Sequence, residues 1–214
     1  MVNQTCHFNL RKIVFNLTRM QTEEIKRIVL DIDETLVTRV KKEEVGAIRM
    51  TKSVYVKPRP LLKQFIAGIE SLRFDIVIWT AGAKSYAEAI ASHFCIQSAQ
   101  ILGGDSCTLV GNNVLVKDLR KLTKWSPENV LIIDNCTTCF AEQPLNGLQI
   151  PAYLGDDDDD FLELVLDHVR MFAMRDLASV ICSFKKQIQY LQLDDFGLVT
   201  VTDDSDEPDD HHYA

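Results

Sequence analysis

The sequence predicts an α/β fold built around a parallel sheet, and two observations lead to that prediction. Four short runs are almost continuously apolar, which is typical of strands buried on both faces of a sheet. Segments with helical periodicity lie between several of these runs, so strands and helices alternate along the chain. We therefore expect helices on both faces of the sheet, and we find no internal repeat in the 214 residues.

Each predicted element follows from a local pattern. The strands are expected at RIVLDI (27–32), FDIVIWTAG (74–82), NVLIIDN (129–135) and LQIPAYLG (148–155). Apolar residues three and four apart predict helices over 61–72, 83–94 and 161–191. The stretch VYVKPRP (54–60) begins as a strand that two prolines stop. Residues 39–52 are charged and predict a loop or exposed hairpin, while 99–119 predict short strands around glycine turns.

Length and composition predict one folded domain with two appendages. We place an N-terminal extension at 1–26, the domain at 27–195 and an acidic, disordered tail at 196–214. The net charge is −8, but five acids lie in the Asp run 156–160 and six more in the tail. Without them, 20 acids face 23 basic residues, and we see no basic run of the kind that nucleic-acid binding requires. The Asp run lacks the pattern of a calcium loop and is interpreted as a solvated helix N-terminus.

The six cysteines and the apolar runs indicate where the chain acts. No segment resembles a secretory signal or is long enough to cross a bilayer, so we expect reduced thiols and a nuclear or cytoplasmic protein. The first 20 residues are basic and free of acids, which leaves mitochondrial import as an alternative. Cys136 and Cys139 form a CxxC pair without further zinc ligands, and we interpret them as packed thiols, with redox sensitivity as the alternative.

Polar side chains follow three of the predicted strands. Asp31 and Asp33 end the first, Thr80 ends the second, and Asp134 with Asn135 ends the third. The carboxyl ends of parallel strands meet at one edge of a sheet, where ligands bind. Buried carboxylates need a cation or a chemical task, and Mg²⁺ prefers such oxygen ligands.

These residue types are the parts of a phosphoryl-transfer site. Lys117 adds a fixed positive charge, and Thr35 and Thr80 add hydroxyl groups. A carboxylate able to attack phosphorus, a metal and hydrogen-bond donors together suit that chemistry. Asp31 and Asp33 are two residues apart, so one can attack while the other carries a proton, provided that the metal lies beside the first.

Four motifs in this order resemble those of the haloacid-dehalogenase-like phosphatases: DIDET, IWTAG, VKDL and LIIDN. Longer blocks are similar to the FCP/SCP-like (NIF-like) branch, protein phosphatases that act on the RNA polymerase II C-terminal domain and other phosphoproteins. Those blocks include VYVKPRPLLKQFI, FDIVIWTAGAKSYAEAI and SCTLVGNNVLVKDLRKL. The similarity covers about residues 27 to 185. It implies a Rossmann-like parallel sheet with a small β insert and no large cap domain.

The resemblance also implies roles for the catalytic residues. Asp31 would attack the phosphate and become an aspartyl phosphate, and Asp33 would protonate the leaving oxygen and later accept a proton from water. Thr80 would hold a phosphate oxygen, and Lys117 would neutralise charge on Asp31 and the phosphoryl group. Thr35, Ala81 and Lys117 are thereby expected to bind the phosphate.

The same resemblance implies a Mg²⁺ cofactor. Its ligands would be Asp31, the backbone carbonyl of Asp33 and Asn135, with Asp134 supporting them. Two departures from the family pattern stand out: Ile32 replaces a common Leu, and Gly104 stands where the family often has Arg. If that Arg binds the phosphopeptide, this chain recognises its substrate differently.

The spacing between motifs leaves no room for a lid over the site. An open site favours phosphate carried by a large substrate, so we predict a monomeric phosphatase acting on phosphoserine or phosphothreonine in proteins and not on membranes. The RNA polymerase II C-terminal domain is one candidate substrate. The alternatives are a catalytically silent receptor module with the same fold and a small-molecule phosphatase.

Overall fold

Strands and helices alternate along residues 25–111 and 113–195, the part of the chain that this computed structural model describes. Its strands are β1 (Arg27–Leu30), β2 (Val37–Val40), β3 (Ile48–Arg49), β4 (Tyr55–Pro58), β5 (Asp75–Trp79), β6 (Ser98–Leu102), β7 (Thr108–Val110), β8 (Val114–Val116), β9 (Val130–Asp134) and β10 (Gly147–Gln149). Its α-helices are α1 (Leu62–Ser71), α2 (Lys84–His93), α3 (Phe161–Met174) and α4 (Leu177–Asp195).

The central sheet has five parallel strands in the order β10–β9–β1–β5–β6. In the middle of the sheet, Leu30 lies opposite Ile78 on one side and Ile133 on the other. This register brings the carboxyl ends of β1, β5 and β9 to the same edge. The predicted α/β class with a parallel sheet is confirmed.

Helical segments cover both faces of the sheet, as predicted, but the two faces differ in kind. Ile28 and Leu30 of β1 belong to a large apolar cluster that includes residues of all four α-helices. Val29 points the other way, into a smaller cluster with Leu119 and Phe140. Those two residues lie on short 3-10 helices at Leu119–Lys121 and Thr137–Phe140. The second face is therefore held by short turns, and one of these turns follows Lys117 directly.

Small β elements fill the gaps between the motifs. Strands β2, β4 and β3 form an antiparallel sheet in that order, and β7 pairs with β8 in a hairpin. Residues 39–52, predicted as a loop or exposed hairpin, contribute β3 and part of β2 to the first of these sheets. Between β2 and β8, the described residues add only α1, α2, β5, β6 and a 3-10 helix at Gly104–Ser106. The expected small β insert and the absence of a large cap domain agree with this arrangement.

Residues 161–191, predicted to be helical, contain two helices, and the break between them was not predicted from the sequence. Arg175 is extended, with φ −126° and ψ 169°, and separates α3 from α4. The Asp176 carboxylate accepts hydrogen bonds from the backbone N–H and the hydroxyl of Ser179, at 2.9 and 2.7 Å. A side chain that caps a new helix competes with continuation of the old one.

The Asp run before α3 is more than the solvated helix N-terminus that we expected. Asp159 pairs with buried Arg59, and Asp157 pairs with Lys57 at 2.8 Å. Asp160, at the start of α3, makes no capping hydrogen bond through its side chain. Two of the five acids therefore hold basic residues of the segment that leads into α1.

Two sequence predictions remain outside this description. Most of the N-terminal extension and the whole acidic tail, residues 1–24 and 196–214, lie beyond the described residues. The proposed division into an extension, a domain and a tail thus stays a prediction. Among the helices that are described, none combines the length and apolarity needed to span a membrane.

Candidate active site

A buried lysine lies between two buried carboxylates where β1 and β9 end. Asp31 follows β1, Asp134 is the last residue of β9, and Lys117 follows β8. The Lys117 ammonium is 2.5 Å from Asp31 Oδ1 and 2.6 Å from Asp134 Oδ2. All three residues are buried, with at most 7% exposure. The group therefore has one positive and two negative charges in a medium that screens them weakly.

Burial and this charge imbalance change how the three groups bind protons. Burial raises the pKa of Asp31 to about 6, since the attraction of Lys117 is partly offset by repulsion from Asp134. Burial alone would lower the pKa of Lys117, but the two carboxylates outweigh it and raise that pKa. Lys117 thus stays positively charged while Asp31 is held near the point where it ionises.

Asp33 is held separately from Asp31, by different partners. Its Oδ1 accepts hydrogen bonds from Arg39 Nε and from the Tyr86 hydroxyl, both at 3.0 Å. Its Oδ2 lies 3.5 Å from the Thr80 hydroxyl. Burial, followed by the nearby negative charge of Asp33, raises the pKa of Tyr86, so this hydroxyl remains a donor. Oδ1 of Asp33 therefore accepts two hydrogen bonds, whereas Oδ2 faces Thr80, the residue predicted to hold a phosphate oxygen.

A tight turn after β1 separates the two aspartates and joins them to β9. Glu34 has φ 61°, a left-handed conformation that lets the chain reverse. The hydroxyl of fully buried Thr35 accepts a hydrogen bond from Asn135 N at 3.2 Å. The Asn135 side chain donates in turn to Glu34 Oε2 at 3.1 Å. Because these bonds link the ends of two neighbouring strands, the relative positions of Asp31, Asp33 and Asn135 are fixed.

The turn after β5 is built on close backbone contacts. Gly82 N donates to the Thr80 hydroxyl at 3.0 Å, and Gly104 N donates to Gly82 O at 2.7 Å. A Cβ atom added to Gly104 would lie only 2.3 Å from the Ala81 carbonyl oxygen. Position 104 thus has no room for a side chain, which gives a physical reason for the Gly that we noted there. Ala81 itself is exposed in this turn, directly after Thr80.

The oxygen groups at this edge suit a hard divalent cation. Two carboxylates face a single lysine, so the group carries an excess negative charge. Asp134 already uses Oδ2 for Lys117 and Oδ1 for the N–H of Cys136, which suits a supporting role. No three His, Cys, Asp or Glu side chains within 25–111 and 113–195 form a metal-binding group. A magnesium site would thus depend on the Asn135 amide and the Asp33 carbonyl as well as on Asp31.

The cysteine pair lies directly behind this group. The Lys117 backbone N–H donates to the Cys139 carbonyl at 2.6 Å. Burial would raise the pKa of the Cys136 thiol, but hydrogen bonds with Thr138 and Cys139 lower it, whereas burial raises the pKa of Cys139 to about 12. Both thiols are free and half-buried. Their interpretation as packed thiols, with redox sensitivity as the alternative, stays a prediction.

The structure brings the predicted site residues together at one edge of the sheet. Members of this group are Asp31, Asp33, Thr35, Thr80, Ala81, Lys117, Asp134 and Asn135. Two contacts of the site were not predicted from the sequence, those of Asp33 with Arg39 and with Tyr86. Tyr86 lies on the buried side of its helix with Ala87 and Ile90, and its hydroxyl within that apolar side is a signal that could have been noticed. Arg39 lies among other charged residues, and nothing in the sequence distinguishes it.

Comparison with known proteins agrees with this geometry. Residues 26–180 match the family model described as "NLI interacting factor-like phosphatase". "CTD small phosphatase-like protein 3" of Caenorhabditis elegans is 33% identical, over 62% of this chain and 49% of the relative. "Probable C-terminal domain small phosphatase" of Dictyostelium discoideum is 29% identical, over 71% of this chain and 53% of the relative. The chain thus spans about half the length of these two relatives.

A solved structure shows the same fold. The fission yeast RNA polymerase II CTD phosphatase Fcp1, in a complex with beryllium fluoride, matches with a TM-score of 0.50 and 18% identity. The match covers 91% of this chain and 62% of that one. At this identity the similarity concerns the arrangement of the backbone.

Proposed function

Because the chain belongs to the NLI interacting factor-like phosphatase family, within the haloacid-dehalogenase-like superfamily, we propose that it hydrolyses phosphate esters on serine and threonine residues of proteins. The proposed reaction depends on Mg²⁺ and passes through a phosphate ester of Asp31. One candidate substrate is the RNA polymerase II C-terminal domain, because the structurally similar fission yeast protein is named as a phosphatase of that domain. A nuclear or cytoplasmic monomer is part of the same proposal.

The observation that carries this proposal is the separation of the two aspartates by their partners. Asp31 lies beside Lys117, whereas Asp33 lies beside Arg39, Tyr86 and Thr80. A nucleophile must be ionised when it attacks, and a general acid must carry a proton at the same moment. Different surroundings allow two carboxylates two residues apart to meet these opposite requirements.

In the first step, a carboxylate oxygen of Asp31 attacks phosphorus and forms a new P–O bond. The bond from phosphorus to the serine or threonine oxygen breaks, and Asp33 donates a proton to that oxygen. The proton suits Asp33 Oδ2, since Oδ1 already accepts two hydrogen bonds and Oδ2 faces Thr80. Lys117 balances the negative charge that the phosphoryl group brings to Asp31.

In the second step, water attacks the phosphorus of the aspartyl phosphate. Asp33, now ionised, accepts a proton from the water, and the bond between phosphorus and Asp31 breaks. Inorganic phosphate leaves, and both carboxylates return to their starting states. Thr80 would donate to a phosphate oxygen through both steps, since the Gly82 N–H already holds its hydroxyl in place as an acceptor.

Asp31, the Asp33 carbonyl and Asn135 would hold Mg²⁺, with Asp134 behind them. When bound, the ion supplies positive charge that stabilises the phosphoryl oxygens and favours the ionised form of Asp31. The chain's own contribution is the oxygen donor set and its fixed geometry, which the Thr35–Asn135 and Asn135–Glu34 hydrogen bonds maintain. This donor set fits the preference of Mg²⁺ for oxygen ligands.

The surroundings of the site favour a protein substrate. The described residues between β2 and β8 form small sheets, two helices and two strands of the central sheet, and the side chain of Asp33 is one third exposed. Such an open site can accept an extended phosphorylated segment. An open site thus favours protein substrates over small metabolites, which lids often enclose.

The test is hydrolysis of p-nitrophenyl phosphate and of phosphoserine peptides by the purified chain, with Mg²⁺ or with EDTA. Wild type should turn over both substrates only with Mg²⁺, and Asp31→Asn should lose at least about 1,000-fold in kcat/KM. Asp167→Asn is a matched control, since it changes an exposed aspartate on α3 that pairs with Arg170.

The outcomes separate the proposal from its alternatives. A folded protein that turns over neither substrate would point to the receptor module. Turnover of p-nitrophenyl phosphate and small esters without any peptide would point to a small-molecule phosphatase. Mg²⁺ should also raise the unfolding temperature of wild type more than that of Asp31→Asn, a readout of binding that does not need activity.

A further inference from the structure

One exposed cation at the site, Arg39, contacts Asp33 but binds no part of the substrate in the steps above. Arg39 lies on β2, and 60% of its side chain is exposed. Its Nε donates to Asp33 Oδ1 at 3.0 Å, and its guanidinium carbon lies 5.2 Å from the centre of the Tyr86 ring. The Asp33 carboxylate and the Tyr86 ring therefore fix the orientation of a guanidinium that is still largely open to solvent.

The position of Arg39 relative to the reaction follows from its contact with Asp33. In the proposed function, Asp33 protonates the oxygen of the leaving serine or threonine. Arg39 contacts the same carboxylate, whereas Lys117 lies beside Asp31 on the phosphoryl side. The guanidinium thus lies beside the group that is proposed to protonate the leaving oxygen, where an anion of the substrate polypeptide next to the phosphorylated residue can meet it.

The neighbouring positions supply no equivalent cation. Position 104 cannot hold a side chain, since its Cβ would lie 2.3 Å from the Ala81 carbonyl oxygen. Lys84, at the start of α2, is 4.0 Å from Glu88 and contacts neither Asp33 nor Tyr86 in the described part of the chain. Arg39 is the basic residue whose guanidinium reaches Asp33.

We infer that Arg39 forms a subsite for an anionic group on the substrate, close to the phosphorylated residue. This inference rests on the proposed function and specifies the substrates of that same site. A carboxylate side chain or a second phosphate would supply the anion, because a guanidinium binds either group through two parallel hydrogen bonds.

The test compares three phosphoserine peptides that differ only at the residue next to the phosphoserine. One carries Gln, one carries Glu, and one carries a non-hydrolysable difluorophosphonate analogue of phosphoserine. The kcat/KM for phosphate release is measured for wild type, Arg39→Gln and the control Arg170→Gln. Arg170 is matched to Arg39 because it is also an arginine, is 53% exposed and pairs with one aspartate at 2.7 Å.

Wild type should prefer an anionic peptide over the Gln peptide by about tenfold, a typical effect of one charge-assisted hydrogen bond. Arg39→Gln should bring that ratio close to one, and Arg170→Gln should leave it unchanged. Comparison of the Glu and phosphonate peptides identifies which anion the subsite takes.

Two results would overturn the inference while the proposed function stands. One is hydrolysis of all three peptides by wild type at equal kcat/KM. The other is an equal loss on all three in Arg39→Gln, which would limit Arg39 to positioning Asp33. If wild type hydrolyses none of the peptides, the proposed function fails, and the subsite fails with it.

Discussion

Among the residues that the structure describes, two buried cations hold carboxylates, and their charge balances differ. Arg59, only 1% exposed, binds both oxygens of Asp159 at 2.7 and 2.8 Å. It also donates to the carbonyls of Thr35 and Pro151 at 3.3 and 3.1 Å. Lys117 is as deeply buried, but it faces two carboxylates. One cation is fully matched, whereas the other leaves a net negative charge.

The difference in charge balance indicates that the Arg59 pair supports the structure, whereas the Lys117 group is suited to chemistry. The Arg59–Asp159 pair has little left to offer a ligand, because the guanidinium is also close to the rings of Tyr153 and Phe161. Since Arg59 binds the carbonyl of Thr35, the balanced pair supports the turn that carries the aspartates. The Lys117 group is unbalanced, so it favours the binding of a further cation and makes the pKa of Asp31 sensitive to its surroundings.

Lys117→Met tests the unbalanced group directly and should have the largest effect on stability. Two buried carboxylates would then face each other without a cation, and we expect a loss of about 4 kcal/mol in the free energy of unfolding at pH 7.5. The loss should shrink at pH 5, because protonation removes the buried charge. Urea unfolding in EDTA at both pH values measures this change. A loss below about 1 kcal/mol at pH 7.5 would show that the group is far better solvated than its burial indicates.

The balanced pair is tested by Asp159→Asn. Arg59 would keep its charge without a carboxylate, and we expect a loss of about 3 kcal/mol, measured by urea unfolding at pH 7.5. The double variant Arg59→Met with Asp159→Leu should cost less than Asp159→Asn alone, because it leaves no unpaired charge. Equal or greater loss in the double variant would mean that the pair itself, and not the unpaired arginine, determines stability.

In the absence of divalent cations, Asp31→Asn should increase the free energy of unfolding, whereas the two preceding changes decrease it. Because burial raises the pKa of Asp31 from 3.8 to about 6, the folded state binds a proton more tightly than the unfolded state. Stability is therefore lost as pH rises from about 4 to 6, and above pH 6 the neutral variant should be more stable by about 1–3 kcal/mol. Below pH 4 the two proteins should unfold alike in chemical denaturation with EDTA. A destabilised Asp31→Asn at pH 7.5 would contradict this prediction.

The smallest effect is expected at a pair that resembles Arg59–Asp159 in distance alone. Lys57 and Asp157 are 2.8 Å apart, but Asp157 is 84% exposed. Water and salt screen such a pair, so Asp157→Asn should leave the denaturation midpoint unchanged within error. A shift comparable to that of Asp159→Asn would mean that burial does not explain the difference between the two pairs.

Much of the fold and the candidate site could be predicted from local patterns. The run RIVLDI predicted β1, and NVLIIDN predicted β9, since apolar β-branched residues in a short run suit a buried strand. Parallel strands end at one edge, so Asp31, Thr80 and Asp134 were expected together. The break between α3 and α4 was missed, because apolar periodicity continues through a site where Asp176 caps a new helix.

Sequence alone therefore determined four strands of the central sheet, their order of appearance and the polar residues that end three of them, because apolar runs and turn residues act over a few positions. The tertiary structure alone decided which cation meets which carboxylate. Lys117 is 86 residues from Asp31, and Arg59 is 100 residues from Asp159. Arg39 lies within six residues of Asp33, yet their contact depends on β2 pairing with β4 and on α2 presenting Tyr86. Such contacts follow from the packing of distant elements, which no local pattern encodes.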